Sequence, residues 1–230
     1  AIPVRALSAI PARRRTVAEV SILRNGVTLA AIAAVCTALV AATYTLTDER
    51  IAANERAWVE QSLQPVLAGL SYDGSASASR LTIPAPHALP GTGDAAVYRV
   101  YAARSPVAAL YVVTARDGYS GAIQILVGVR ADGELTGVHV LAHRETPGLG
   151  DQVESSKSDW ARQFVGRSLA DPAVAEWKIR RDGGAFDQLT GASVTPRAVV
   201  KAVRQTLEYH AIHADSIFTA LPDNDEDRRP

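Results

Sequence analysis

Residues 25–47 carry no charge, an unbroken run of 23 positions that ends at Asp48. At about 1.5 Å per helical residue, such a run covers the roughly 30 Å hydrocarbon core of a bilayer. A lone spanning segment must satisfy its own backbone hydrogen bonds, which leaves the α-helix as its only form. Arg5, Arg13, Arg14, Arg15 and Arg24 stand on its N-terminal side against Glu19 alone. That asymmetry predicts residues 1–24 in the cytoplasm and the rest of the chain beyond the membrane. Tyr44 falls near the outer end, where interfacial aromatics gather. The run is longer than the apolar core of a secretory signal and lacks a clean small-x-small cleavage site. An uncleaved single-pass anchor is therefore expected over 25–47.

The remainder reads as a folded domain. Hydrophobic residues make up 47% of the chain and charged residues 21%, enough apolar content for a core. The formal net charge is zero, so no global field draws nucleic acid. A single cysteine, Cys36, excludes an intrachain disulfide. Ile51, Trp58, Val59, Leu63, Val66 and Leu67 recur at near-helical spacing and predict a helix over 48–70. Residues 71–93, with Pro84, Pro86 and Pro90, read as a long loop, making 48–96 a helical and irregular connector. Strands are expected over 97–101, 109–114, 122–130 and 134–143, the last two flanking the hairpin signal Asp132-Gly133. A helix follows near 158–165, and a strand over 174–180 closed by Asp182-Gly183-Gly184. The last helix runs over 197–213, and 216–230 is a polar tail, acidic from Asp223 to Asp227. Strands first and helices later give an α+β class with flanking helices rather than a doubly wound sheet.

Two segments carry candidate chemistry. In 189–200 a loop containing Thr190, Gly191, Ala192 and Ser193 runs into Thr195 and Pro196 and then an amphipathic helix. Thr195 suits an N-cap and Pro196 the first helical position, so free N–H groups and the helix dipole would favour a phosphate at the Thr195 hydroxyl. The same residues also fit a plain helix start. In 143–150, Pro147, Gly148 and Gly150 bracket Leu149 in a loop that brings backbone close to a ligand; Thr146 offers a hydroxyl, Glu145 an acceptor and Leu149 an apolar surface for a flat ring. This loop fits a routine strand-to-helix connection as well. Lys178 stands where it could reach a phosphate or ring carbonyl, or simply face solvent.

Other patterns fail. His139 and His143 share a strand face about 13 Å apart, too far to chelate one metal. His210 and His213 lack a third ligand. Gly91-Thr92-Gly93 lacks the third glycine of a dinucleotide fingerprint, and 118–121 is one residue short of a nucleophile elbow. The acidic tail has no calcium-loop glycine or closing glutamate.

Gly118-Tyr119-Ser120-Gly121, Val127-Gly128-Val129, Asp132-Gly133, 143–151, Lys157-Ser158-Asp159-Trp160, Asp182-Gly183-Gly184, Phe186-Asp187-Gln188 and 190–195 together resemble the FMN-binding domain family. Within it they are similar to the G subunits of Rnf electron-transport complexes, relatives of the C subunits of sodium-pumping NADH:quinone reductases. The Glu-Thr-Pro-Gly-Leu-Gly loop followed by the Thr190–Thr195 motif carries the resemblance, which covers about 20–215. It implies an antiparallel-sheet FMN-binding domain over 97–215, with FMN held through a phosphoester on Thr195. Thr190 stands where many members have Ser, and Ser193 where many have Thr. Taken with the loop and strand readings above, Glu145, Thr146, Gly148, Leu149, Lys178, Asp187, Thr190, Gly191, Ala192 and Ser193 are expected around the cofactor. A flavin transferase would attach the FMN moiety of FAD, with Asp187 similar to the acidic residue leading its recognition motif. The partners implied are integral membrane and iron–sulfur subunits of an ion-translocating complex in a bacterial inner membrane, linking ferredoxin and NAD. The alternative is a membrane-tethered binding or assembly module without flavin.

Overall fold

A computed structural model describes residues 13–220; residues 1–12 and the acidic stretch 221–230 lie outside the described residues. Two compact units, Ala1–Glu55 and Arg56–Pro230, divide the chain. In the first, helix α1 (Arg13–Leu67) contains Arg24–Tyr44, a segment long and apolar enough to cross a membrane and with none of its residues buried within the protein. The helix continues without a break at 47 and ends in the second unit, where Gly69 takes a left-handed φ of 84° just past its last turn.

The second unit is built on one antiparallel sheet in the order β1-β2-β3-β4-β5, each strand beside its sequence neighbour. The strands are β1 (Arg80–Ile83), β2 (Ala95–Ala102), β3 (Ser105–Ala115), β4 (Ile123–Arg130) and β5 (Leu135–Ala142). Four of them lie where alternation and turn residues place them. β1 does not: Arg80-Leu81-Thr82-Ile83 falls inside the expected loop. It is an edge strand of only four residues, and the prolines that mark the loop begin after it.

Both faces of the sheet are covered. Ile123, Ile125, Val127 and Val129 of β4 share a cluster with Val199, Val203 and Leu207 of helix α2 (Val194–Thr219). Leu110 and Leu126 point the other way, against Leu63, Val66 and Leu67 from the end of α1. This explains why β4 reads as an almost continuous apolar run. Gly128 marks the second contact, since a Cβ there would sit 3.1 Å from Val66 and closer still to Thr136. Trp58, on the expected apolar face of α1, is instead exposed.

Between β5 and α2 the regular elements expected are absent. Residues 158–165 form a short 3-10 turn, Trp160–Phe164, rather than an α-helix. Residues 174–180 form a 3-10 turn at Val174–Glu176 and a single bridge, Ile179 to Phe186, rather than a strand. Trp160, Phe164, Trp177 and Phe186 explain both differences: their rings pack centroid to centroid at 4.7–6.5 Å, and burying them sets the backbone path in place of a ladder. Gly184 lies so close to the Lys178 backbone that a Cβ would meet its carbonyl at 2.0 Å. Helix α2 runs past the expected 213 to Thr219, where Ile217 is buried and the buried Arg99 guanidinium donates to the Ile217 and Ala220 carbonyls.

The β2–β3 turn has no glycine. Ala103 and Arg104 hold φ of 47° and 68°, the left-handed pair that a two-residue hairpin requires, and Asp73 accepts the Ala103 N–H. A left-handed non-glycine residue is disfavoured by about 1–2 kcal/mol, partly offset by glycine's larger backbone entropy. Arg104→Gly should therefore raise stability by about 0.5–1 kcal/mol, read as a higher urea midpoint of the full chain in detergent.

Candidate functional site

The first turn of α2 and the loop after β5 meet over one buried contact. The Thr195 hydroxyl donates to Oε2 of Glu145, fifty residues earlier in the chain. Thr195 is 0% and Glu145 4% exposed. Oε1 of the same carboxylate accepts the Ser120 N–H at 2.9 Å. Among the described residues no cationic side chain pairs with Glu145, so hydrogen bonds alone compensate its burial.

This contact changes the reading of the helix start. Ser193, not Thr195, precedes the first helical residue, and its side chain makes no capping bond. Thr195 stands one position inside the helix because a buried carboxylate claims its hydroxyl. Pro196 still falls in the first turn, where no intrahelical acceptor exists and its missing N–H forfeits no bond.

A cavity of about 330 Å³ opens beside this pair, lined by Tyr119, Glu145, Thr146, Leu149, Gly150, Gly191, Ala192, Ser193, Val194 and Thr195. The two loops named in the sequence thus form opposite parts of one wall. Gly150 permits the approach: a Cβ there would lie 2.8 Å from the Thr195 hydroxyl and 2.9 Å from the Glu145 carboxylate. Gly148 shapes the loop through a φ of 77° without entering the wall, and Thr190 lies just outside it, exposed.

Two expected site residues stand elsewhere. Lys178 is exposed and lines a separate surface hollow with Asp182 and Arg197, since the strand meant to aim it does not form. Asp187 is exposed. Its carboxylate accepts Arg180 at 2.9 Å, its N–H donates to Gln163 and its carbonyl accepts the Trp160 indole.

Comparison with known proteins bears directly on this arrangement. Residues 118–208, which include both loops and the Thr195–Glu145 pair, match the FMN-binding domain family, and residues 18–66 match the RnfG N-terminal region. The chain is 47% identical over 191 residues to the G subunit of the ion-translocating oxidoreductase complex of Pseudomonas aeruginosa, covering 82% of this chain and 88% of that one. It is 40% identical over 198 residues to the protein of the same name from Shewanella oneidensis, covering 86% and 93%. The chain belongs to the family of G subunits of ion-translocating oxidoreductase complexes. It is an electron-carrying flavoprotein subunit of that family, with an FMN-binding domain behind an N-terminal apolar helix. The crystal structure of Shewanella oneidensis NqrC also aligns, at 17% identity and a TM-score of 0.48, over 73% of this chain and all of that one.

Two cavity residues of this flavoprotein, Tyr119 and Val194, are not evident as site residues from the sequence, and for Gly150 the sequence shows the loop but not the contact. Tyr119 is 72% exposed at the rim, with Leu149 at 41% and Val194 at 38%. Tyr119 sits in the Gly118–Gly121 motif, which gives the signal but not the role. Gly150 closes the loop motif but its contact with Thr195 is tertiary, and Val194 reads as an ordinary helix residue.

His143 holds the loop from behind. Its Nδ1 accepts the Glu145 N–H at 2.9 Å, so the proton sits on Nε2, which donates to Glu154 at 2.5 Å. The bonds from His143 and Ser156 hold the Glu154 carboxyl below its usual value of 4.5. A depressed folded value means the stabilisation is present above 4.5 and disappears as pH falls through the lower folded value.

Two outcomes follow for measurement. Urea midpoints of the full chain should fall between about pH 5 and pH 3, and Glu154→Gln should flatten that dependence. Gly150→Ala should destabilise the fold by about 1–3 kcal/mol through overpacking against Thr195 and Glu145, read from the same midpoints at neutral pH.

Proposed function

We propose that this chain relays electrons through FMN attached by a phosphoester to the Thr195 hydroxyl. The observation that carries this reading is the position of that hydroxyl. Thr195 is among the residues that line a cavity formed by both motif loops, in the first turn of a long helix, and its hydroxyl meets Glu145 there. The residues present suit the group. Gly150 and Gly191 keep the backbone close, the first-turn N–H groups and the helix dipole favour an anion, and Leu149, Tyr119 and Val194 supply apolar surface for a ring system. FMN, when bound, supplies one- and two-electron chemistry that no side chain of this protein offers. The protein's part is to fix the acceptor hydroxyl, exclude water from its buried side and present the rim to a partner.

Thr195, Glu145, Thr146, Leu149, Gly191, Ala192 and Ser193 are the residues we assign to this site, with Gly148 shaping the loop. Asp187, on the exposed segment before the motif, is assigned to recognition by the flavin transferase. Lys178 would serve the cofactor only from the outside, since it does not line the cavity. The arginine excess before Arg24–Tyr44 supports a cytoplasmic N-terminus and a periplasmic domain in the bacterial inner membrane. The partners are the other membrane and iron–sulfur subunits of the complex.

The test is direct. The full chain, co-expressed with a flavin transferase, is denatured and run on a gel viewed under ultraviolet light. A fluorescent band is expected for the natural protein and none for Thr195→Ala. Absence of the band from the natural protein overturns the reading in favour of a tethered module without flavin. Persistence in Thr195→Ala moves the ester to Ser193 or Thr190.

A further inference from the structure

The Glu145–Thr195 contact poses a chemical problem that a helix cap does not. A carboxylate buried at 4% exposure, without a cationic partner among the described residues, touches the very oxygen that would carry a phosphate. As a permanent charge it would repel the phosphate; as a hydrogen-bond acceptor it already holds the Thr195 proton. Oε1 is pinned by the Ser120 N–H, and the Glu145 backbone is pinned by His143, so the carboxylate does not turn away freely. Gly118 and Gly150 pack against its two oxygens, where a Cβ would approach to 3.0 and 2.9 Å.

We infer that Glu145 is the proton acceptor for Thr195 when the phosphoester forms. The inference rests on the assignment of the ester to Thr195. The co-reactant is a flavin dinucleotide, brought by the transferase. The Thr195 Oγ–phosphorus bond forms at the FMN phosphorus and the pyrophosphate P–O bond breaks. AMP leaves with the bonding electron pair, and the Thr195 proton passes to Oε2 of Glu145. No electron is gained or lost by the chain. The same transfer neutralises the carboxylate, which removes the charge that would oppose the new phosphate. An alcohol is a poor nucleophile at neutral pH, and a positioned base typically contributes 10²–10⁴-fold.

The experiment follows flavin incorporation into the purified full chain, with purified transferase and FAD, by intact-mass spectrometry at timed intervals. Glu145→Gln preserves volume and an acceptor but takes no proton; its initial rate should fall at least about a hundredfold, with circular dichroism unchanged. Glu145→Asp keeps the base but withdraws it by one methylene, and should fall about tenfold. A Glu145→Gln rate within about threefold of the natural chain overturns the inference and assigns the base to the transferase. Should the Gln variant not fold, the Asp variant decides: a folded Asp variant at the natural rate overturns the inference, and a tenfold loss supports it. Failure of the underlying assignment looks different, because then the natural chain itself gains no mass at Thr195.

Discussion

A single buried hydrogen bond joins the two parts of this site. Glu145 lies just past the end of β5 and Thr195 in the first turn of α2, and among the described residues no strand pairing joins the two. Remove the bond and the carboxylate is left buried with the Ser120 N–H alone, a loss on the order of 1–3 kcal/mol for a group so enclosed. Around it the chain places glycines where side chains would intrude, at 118 and 150, and ties down the approach with His143 and Glu154. The cavity is therefore a consequence of how one carboxylate is accommodated.

The scaffold explains why that carboxylate stays in place. The sheet is covered on one side by α2 and on the other by the last turns of α1, so β4 has no solvated face and little freedom to shift register. Tyr111 and His210, bonded at 2.6 Å, link the sheet to the middle of α2, and burial pushes the histidine down and the tyrosine up. Arg197 grips Asp182 with two nitrogens and anchors the helix start to the turn at 182–184. The N-terminus of α2 is thus located by its core face, by an exposed fork and by the Glu145 contact.

Much of this is legible in the amino-acid order. Four strands, the Asp132-Gly133 hairpin, the apolar segment and the final helix follow from alternation, turn residues and period, which are local properties. The two loop motifs are visible as motifs, and they do meet. What local reading misses is tertiary in origin. The neighbours of Thr195 in sequence allow it to be a cap, whereas a residue fifty positions away claims the hydroxyl. Val174, Trp177 and Ile179 suggest a strand, yet they join no strand of the sheet: Trp177 packs on Phe186 and Ile179 is buried in the core, with a single bridge to Phe186. The Ala103-Arg104 turn carries none of the usual residues, and Lys178 loses its aim with the strand that does not form.

The meander has a bearing on when the site comes into being. Each strand pairs with the one before it, so the sheet assembles through short-range closures that cost little entropy. The Glu145–Thr195 contact is different: it closes a loop of fifty residues that contains the aromatic cluster and no ladder of its own. The hydroxyl meets its carboxylate only where α2 is docked on the sheet. Any enzyme that modifies Thr195 through this pair consequently acts on folded chains and passes over unfolded ones. Under the proposed attachment at Thr195, maturation would double as an inspection of the fold.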